Sequence, residues 1–262
     1  MWRVTPDQAK QLIAVPTLAV TSGETMRIGY LQLDQTEKTA TPAMRDVRVR
    51  RALNMSIDRE AIAKAIVGEG ARVIDAVCFP TQFGCTSEGV THYPYDPKQA
   101  KALLAEAGFP NGFETDIYAY RDRPLAEAVI GYFRAIGVKA NLQFQQYAAN
   151  RDAARAHKVP VWYSTWGSFS INDASASTST FFTFSADDLT LDPTVRDWLK
   201  TADTSIDPAV RKENYKKALD RISDQAYWVP LSSFPLVYAY AKDLAFTPYT
   251  DELPRFWEAK WK

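Results

Sequence analysis

Between Asp96 and Trp166 the spacing of apolar residues switches repeatedly between the helical and the extended period, and this restricts the fold more than any other feature of the chain. Asp96 with Pro97 opens a helix that Gly108 closes, and Ala100, Leu103, Leu104 and Ala107 form its apolar stripe. Phe113 to Tyr120 then alternates: Phe113, Thr115, Ile117 and Ala119 face one side, Glu114 and Asp116 the other, as in a half-buried strand. Pro124 to Ile136 returns to helical spacing through Leu125, Val129, Tyr132, Phe133 and Ile136, with Gly137 as its stop. Val138, Ala140, Leu142 and Phe144 alternate again, Arg151 to His157 is helical, and Val161 to Trp166 is a third strand. Strand–helix–strand–helix–strand at these lengths implies parallel pairing with right-handed crossovers, so the chain reads as α/β.

The flanks are less regular. Asp46 is positioned to cap a helix with Val49, Leu53 and Ile57 on one face, and Asp58 a second with Ile62 and Ile66, ended by Gly68 or Gly70. Thr5 to Leu33 reads as short extended pieces, and Ala71 to Tyr95 as loop. Ser168 to Thr183 is rich in Ser and Thr without periodicity. Asp192-Pro193 and Asp207-Pro208 each open a helix, and Trp228–Leu231 and Leu236–Tyr240 are strand-like. Phe256, Trp257 and Trp261 make the tail too apolar to be left uncovered.

Composition excludes several classes. Lys plus Arg and Asp plus Glu both total 31 in 262 residues, which argues against a nucleic acid or an anionic membrane as main partner. The run Arg48, Arg50, Arg51, Arg59 is interleaved with acids and reads as a solvated, salt-bridged face. No apolar run approaches the ~20 residues that span a bilayer, and MWRVTPDQAK has no apolar signal core, so nothing in these residues is expected to direct export. With only His92 and His157 and no CxxC, neither a metal site nor a cofactor is expected. Cys78 and Cys85 flank CFPTQFGC; their spacing allows either a disulfide or two unrelated thiols. There is no GxSxG, phosphate loop or HExxH, and the chain is not expected to be an enzyme.

Three stretches carry a resemblance. Asp46-x-Arg48-Val49-Arg50-x-Ala52-Leu53 followed by Ile57-Asp58-Arg59-Glu60-Ala61-Ile62 resembles a signature of the family 5 bacterial extracellular solute-binding proteins. YDPKQAKALLAEAGFPNGF resembles the second signature, and Asp207-Pro208, Arg211, Tyr215, Ala218 with Trp228-Val229-Pro230-Leu231 continues in family order. These are receptors of ABC importers for di- and oligopeptides, nickel chelates, opines and related solutes. The resemblance implies a periplasmic-binding-protein-like (type II) lobe with a mainly parallel sheet, working as a monomer with membrane permease subunits, in the periplasm or outside the cell. It implies a larger first lobe preceding this chain, with residues 1–33 as its remnant, 34–232 as the second ligand-binding lobe and 233–262 as a return. Hinges are expected near Leu33 to Ala40 and Ser232 to Leu236. The family's oxidising compartment also implies that Cys78 and Cys85 are bonded.

Ligands of open α/β sheets sit beyond the carboxyl ends of the strands. One such end runs into Tyr120-Arg121-Asp122-Arg123, another into Trp166-Gly167-Ser168-Phe169 and on to Asp173. Family positions imply that Asp173 holds a ligand ammonium and that Arg121 or Arg123 forks onto its carboxylate, with Trp166 and Phe169 as walls. The residues themselves also read otherwise: the arginines around Asp122 as a solvated cluster, Asp173 as the cap of a short helix, and the aromatics as core. An opine or oligosaccharide receptor, or a hydrolase, are the rival functions.

Overall fold

In the computed structural model, which describes residues 4–262, five helices begin where an aspartate supplies the cap. The helices are α1 (Pro6–Leu12), α2 (Val47–Met55), α3 (Arg59–Ile62, continued by a wider turn to Val67), α4 (Pro97–Glu106), α5 (Arg123–Ala135), α6 (Tyr147–Arg155), α7 (Ser175–Phe181), α8 (Pro193–Thr204) and α9 (Pro208–Asp224). Strands are β1 (Leu18–Gly23), β2 (Ile28–Leu33), β3 (Glu114–Ala119), β4 (Lys139–Phe144), β5 (Val161–Trp166), β6 (Trp228–Ser233) and β7 (Leu236–Ala241). Asp46, Asp58, Asp96, Asp192 and Asp207 each accept a backbone N–H in the first turn they precede, satisfying donors that a helix leaves unpaired.

A five-stranded sheet in the order β4-β3-β5-β2-β6 forms the middle layer. β3 is parallel to β4 and β5, whereas β2 is antiparallel to both β5 and β6. Four strands therefore point one way and β2 runs against them. All six residues of β2 are buried. Leu31 and Leu33 join a core with Val49, Leu53, Leu125, Val129 and Phe133 on one face. Ile28 and Tyr30 join a second core with Phe181, Val195, Leu219 and Trp228 on the other. There Tyr30 stacks on Trp228 with ring centroids 3.7 Å apart. β1 pairs only with β7, outside this sheet.

Several expectations change. The boundary after Leu33 would detach β2 from the sheet it centres; the chain leaves that sheet between Gly23 and Ile28 instead, and again between Ser233 and Leu236. The extended reading of Thr5 onward gives way to α1, where Thr5 and Gln8 form a reciprocal capping box. Helix α6 begins at Tyr147, ahead of Arg151, and α7 occupies the segment that lacked periodicity. Phe144 is exposed because β4 is an edge strand, and the tail aromatics stay uncovered, Trp257 at 77 %.

Only part of the arginine run is a solvated, salt-bridged face: Arg48 is exposed and paired with Asp46, and half-buried Arg51 is paired with Asp224. Arg50 and Arg59 are only 4 % and 7 % exposed. Arg50 donates to the carbonyls of Met44, Arg45 and Gln225, and Arg51 to that of Asp224, so the pair closes the C-terminal end of α9. Arg48 donates to the Glu106 carbonyl at the end of α4, and Arg59 to those of Ile74, Tyr93 and Pro230. Helix C-termini carry unpaired carbonyls and partial negative charge, and a guanidinium fork satisfies both. Burial lowers the Arg50 pKa to about 10, which leaves it charged at neutral pH.

Cys78 and Cys85 form a disulfide. The loop it closes is hydrogen-bonded to the segment after β5: Gln82 Nε2 donates to Ile171 O at 3.0 Å, Phe83 N to Asn172 O at 3.1 Å, and Ala174 N to Phe83 O at 2.9 Å.

Arg50→Met is expected to cost roughly 3 kcal/mol, since it strands buried carbonyls; a loss below about 1 kcal/mol in urea unfolding would contradict the role. Reducing the disulfide is expected to speed amide hydrogen exchange at Phe83 and Ala174 more than in β2, and unchanged protection there would show that the ring holds nothing beyond itself. Asp192 caps α8 and accepts from Arg221 and Tyr227, each at 2.6 Å. Burial alone would raise its pKa, but these bonds outweigh burial and hold it below the usual carboxylate value. Its contribution is therefore complete above the unfolded value of about 3.9 and fades as pH falls through the lower folded value. Asp192→Asn should be clearly less stable than wild type at pH 7, with the gap narrowing toward pH 3 in urea titrations.

Candidate functional site

The chain after β3 turns to one face of the sheet through α5, and the chain after β5 to the other through α7. This opposite exit opens a crevice between their carboxyl ends, the place where ligands of such sheets collect. Asp122 makes the turn from β3 into α5 with φ 46°, a left-handed conformation uncommon for a non-glycine residue. Its carboxylate does not cap α5. It accepts instead from Arg121 Nε at 2.7 Å and from the Tyr163 hydroxyl at 3.0 Å. Burial, reinforced by Asp122, pushes the Tyr163 phenol well above its ordinary pKa, so it remains a donor.

Arg121 also donates from Nη1 to Thr165 Oγ1 at 3.2 Å. The same hydroxyl accepts from Arg27 Nη1 at 3.1 Å, so two guanidinium groups share one oxygen. Arg27 lies in the passage between β1 and β2, and its remaining edge is forked onto Glu252, Nε to Oε1 at 2.8 Å and Nη2 to Oε2 at 2.9 Å. Gly167 lets that pair lie against the tip of β5: a Cβ there would come within 2.7 Å of Arg27 Nη2 and 3.1 Å of Glu252 Oε1. These groups border a cavity of about 170 Å³ with apolar walls from Ile66, Leu125, Phe234 and Leu236. Among the described residues two positive and two negative groups face it, Arg27 and Arg121 with Asp122 and Glu252.

Of the expected residues, only Arg121 belongs to this cavity. Arg123 is solvated, paired with Glu127 at 2.8 Å and lying over the Phe144 ring. Asp173 is corrected outright. Its oxygens take Arg211 Nη2 at 2.7 Å, the Tyr215 hydroxyl at 2.9 Å and Ser175 N at 3.0 Å. Those hydrogen bonds outweigh the opposing effect of burial and hold its pKa below the usual value. Its neighbours Ala174 and Tyr215 belong to one core, while Leu125 and Tyr163 beside Arg121 belong to the other, so the sheet separates acid from guanidinium. Strand alternation has the same effect on Trp166, which points away from Thr165. Its indole donates to Ala176 O, and its ring meets Phe181 and Phe169. Phe169 projects at 72 % exposure beyond that face.

Arg27, Asp122, Thr165 and Glu252 were not singled out from sequence. Asp122 was visible only as part of a charge cluster. Arg27 reaches the cleft because β2 pairs with β5 in the register Ile28 opposite Trp166, and Glu252 because Met26 N bonds Thr250 O. No local pattern announces either contact.

Among the described residues no cluster of His, Cys, Asp and Glu is arranged to hold a metal, and no helix is long and apolar enough to cross a membrane.

Comparison with known proteins follows the same lines. Residues 1–188 match the model of the bacterial extracellular solute-binding proteins, family 5 Middle. The glutathione-binding protein GsiB of Escherichia coli (strain K12) is 30% identical over 232 residues, covering 82% of this chain and 44% of that protein. Heme-binding protein A of Haemophilus influenzae is 36% identical over 129 residues, covering 46% of this chain and 23% of that protein. The dipeptide-binding protein of Pseudoalteromonas sp. SM9913 in complex with Met-Leu superposes with a TM-score of 0.84 at 23% identity, over 98% of this chain and 53% of that one. AppA of Clostridium difficile gives 0.86 at 18% identity, over 99% and 56%. The structural likeness shows a periplasmic-binding-protein-like α/β fold, and the chain spans less than half the length of the curated relatives it matches. On the family match, which covers most of its length, this chain belongs to the bacterial extracellular solute-binding proteins of family 5.

Proposed function

We propose that this chain is the solute-gripping α/β lobe of an ABC importer's binding component, and that it takes a di- or oligopeptide or another amino-acid-derived solute beside Arg121. One observation carries the reading. Arg121 is fixed by Asp122 and Thr165, yet its Nη2 has no hydrogen-bond partner among the described residues, and the side chain borders the cavity. A guanidinium edge beside a carboxylate suits a solute bearing both charges: its carboxylate on Arg121, its ammonium toward Asp122.

Similar proteins support this class by name, one a dipeptide-binding protein with Met-Leu and another a glutathione-binding protein. A further similar structure, that of MoaA in complex with mannopinic acid, keeps opine-like acids within the class. A neutral oligosaccharide would leave the guanidinium without a partner and is disfavoured. Binding is the proposed activity, not turnover. A second lobe closes over the solute, the closed form docks on the permease, and the solute acts by shifting that equilibrium. The Cys78–Cys85 disulfide supports a periplasmic or extracellular setting.

Millimolar Met-Leu is expected to raise the melting temperature of the chain, maltose is not, and Arg121→Gln should weaken the dipeptide effect about tenfold or more. Because this lobe is one wall of the site, calorimetry should give an affinity weaker than about 1 μM. A response to maltose alone, or tight peptide binding unaffected by Arg121→Gln, would overturn the reading.

A further inference from the structure

We propose that Glu252 sets which solutes this cleft accepts, by filling the guanidinium fork of Arg27 and leaving Arg121, among the described residues, as the one open anion-receiving edge. The inference rests on the cleft beside Arg121 being the solute site.

The two arginines start out alike. Each donates Nη1 to Thr165 Oγ1, each has an acid of its own, and both border the cavity. Their acids differ in geometry. Asp122 takes only Nε of Arg121 and leaves Nη2 open. Glu252 takes both Nε and Nη2 of Arg27, the two-point grip that a solute carboxylate would otherwise form. With Nη1 on Thr165, the whole Arg27 fork is spent.

Glu252 is held in this position by its surroundings. It adopts a left-handed backbone conformation, φ 67°, in the turn where its N–H bonds Tyr249 O. The neighbouring Met26 N–H bonds Thr250 O, tying the turn to the passage that carries Arg27. Gly167 provides the side-chain-free floor. Arg27 and Glu252 side chains are 18 % and 11 % exposed, so the pair is shielded from the solvent that would loosen a surface ion pair.

The consequence is a choice of solute. Two guanidinium groups joined through one hydroxyl would form a seat for a dianion. With Arg27 satisfied from within, the cleft prefers a single carboxylate with a nearby positive charge. Glu252 is thus a specificity-determining residue supplied by the C-terminal segment, far in sequence from the strands that build the crevice.

The test follows arginine Nε–Hε resonances of the full chain by NMR during titration with acetate and with malonate. In wild type, Arg121 should respond to both anions, Arg27 to neither, and malonate should bind no more tightly than acetate. In Glu252→Gln, Arg27 should begin to respond, and malonate should gain roughly tenfold or more over acetate, the worth of a charge-assisted hydrogen bond. Adding Arg27→Gln to that variant should abolish the gain. Glu252→Asp, whose shorter side chain releases part of the fork, should give a smaller gain and serves if Glu252→Gln fails to fold. The proposal is overturned if Arg27 already responds in wild type, or if it stays silent in a folded Glu252 variant. A wild-type Arg121 that ignores both anions, with Arg27 still unmasked in the variant, would instead overturn the reading of the cleft and leave the screening by Glu252 standing.

Discussion

The pairing of β2 between β5 and β6 is the constraint on which everything else in this molecule rests. It lies near the start of the chain, yet Leu31 pairs with Tyr163 on one side and Val229 on the other. Neither edge nor face of the strand meets water. Leu31 and Leu33 complete one core while Ile28 and Tyr30 complete the other, so removing this strand would open both. Its antiparallel sense also has a chemical result. Running against β5, it delivers the residue before it, Arg27, to the carboxyl end of its neighbours, where the crevice lies.

Much of the architecture was legible because its signals are local. Asp-Pro pairs, aspartate caps and strand alternation lie within a few residues of the elements they define, and α4, β3, α5, β5, α8 and α9 fall where those signals put them. What was missed depends on contacts made across the fold. The α7 sequence, SASTSTF, lacks an apolar stripe; its Ser177 hydroxyl bonds Val77 O and its buried residues meet the second core. Arg50 and Arg59 carry charges that normally face water, and only the assembled fold supplies what holds them inside: the end of α9 for Arg50, and the carbonyls of Ile74, Tyr93 and Pro230 with the Asp75 carboxylate for Arg59. Helix α1 differs from these in carrying its signal locally, in the Thr5–Gln8 box.

The site repeats that division. Arg121 could be found because it directly follows a strand in an α/β chain. Asp173 could not be its partner, and strand alternation already held the reason: successive residues of β5 serve opposite faces, so an acid packed with the Trp166 side faces away from Thr165. The acids that do meet the guanidinium groups come from the adjoining turn and from a segment 131 residues beyond Arg121. The first was hidden by its adjacency to Arg121 and the second by its distance.

The ring joining Cys78 and Cys85 closes over a sequence separation of only seven, so its closure needs nothing from the sheet. Oxidation can therefore precede assembly of the sheet. The result is a small rigid hook whose backbone edge at Phe83 can be set before the segment it holds, near Asn172, has packed against it. Biosynthetic order and spatial order are then independent for this part of the molecule: the covalent step readies a template, and a later stretch is caught on it.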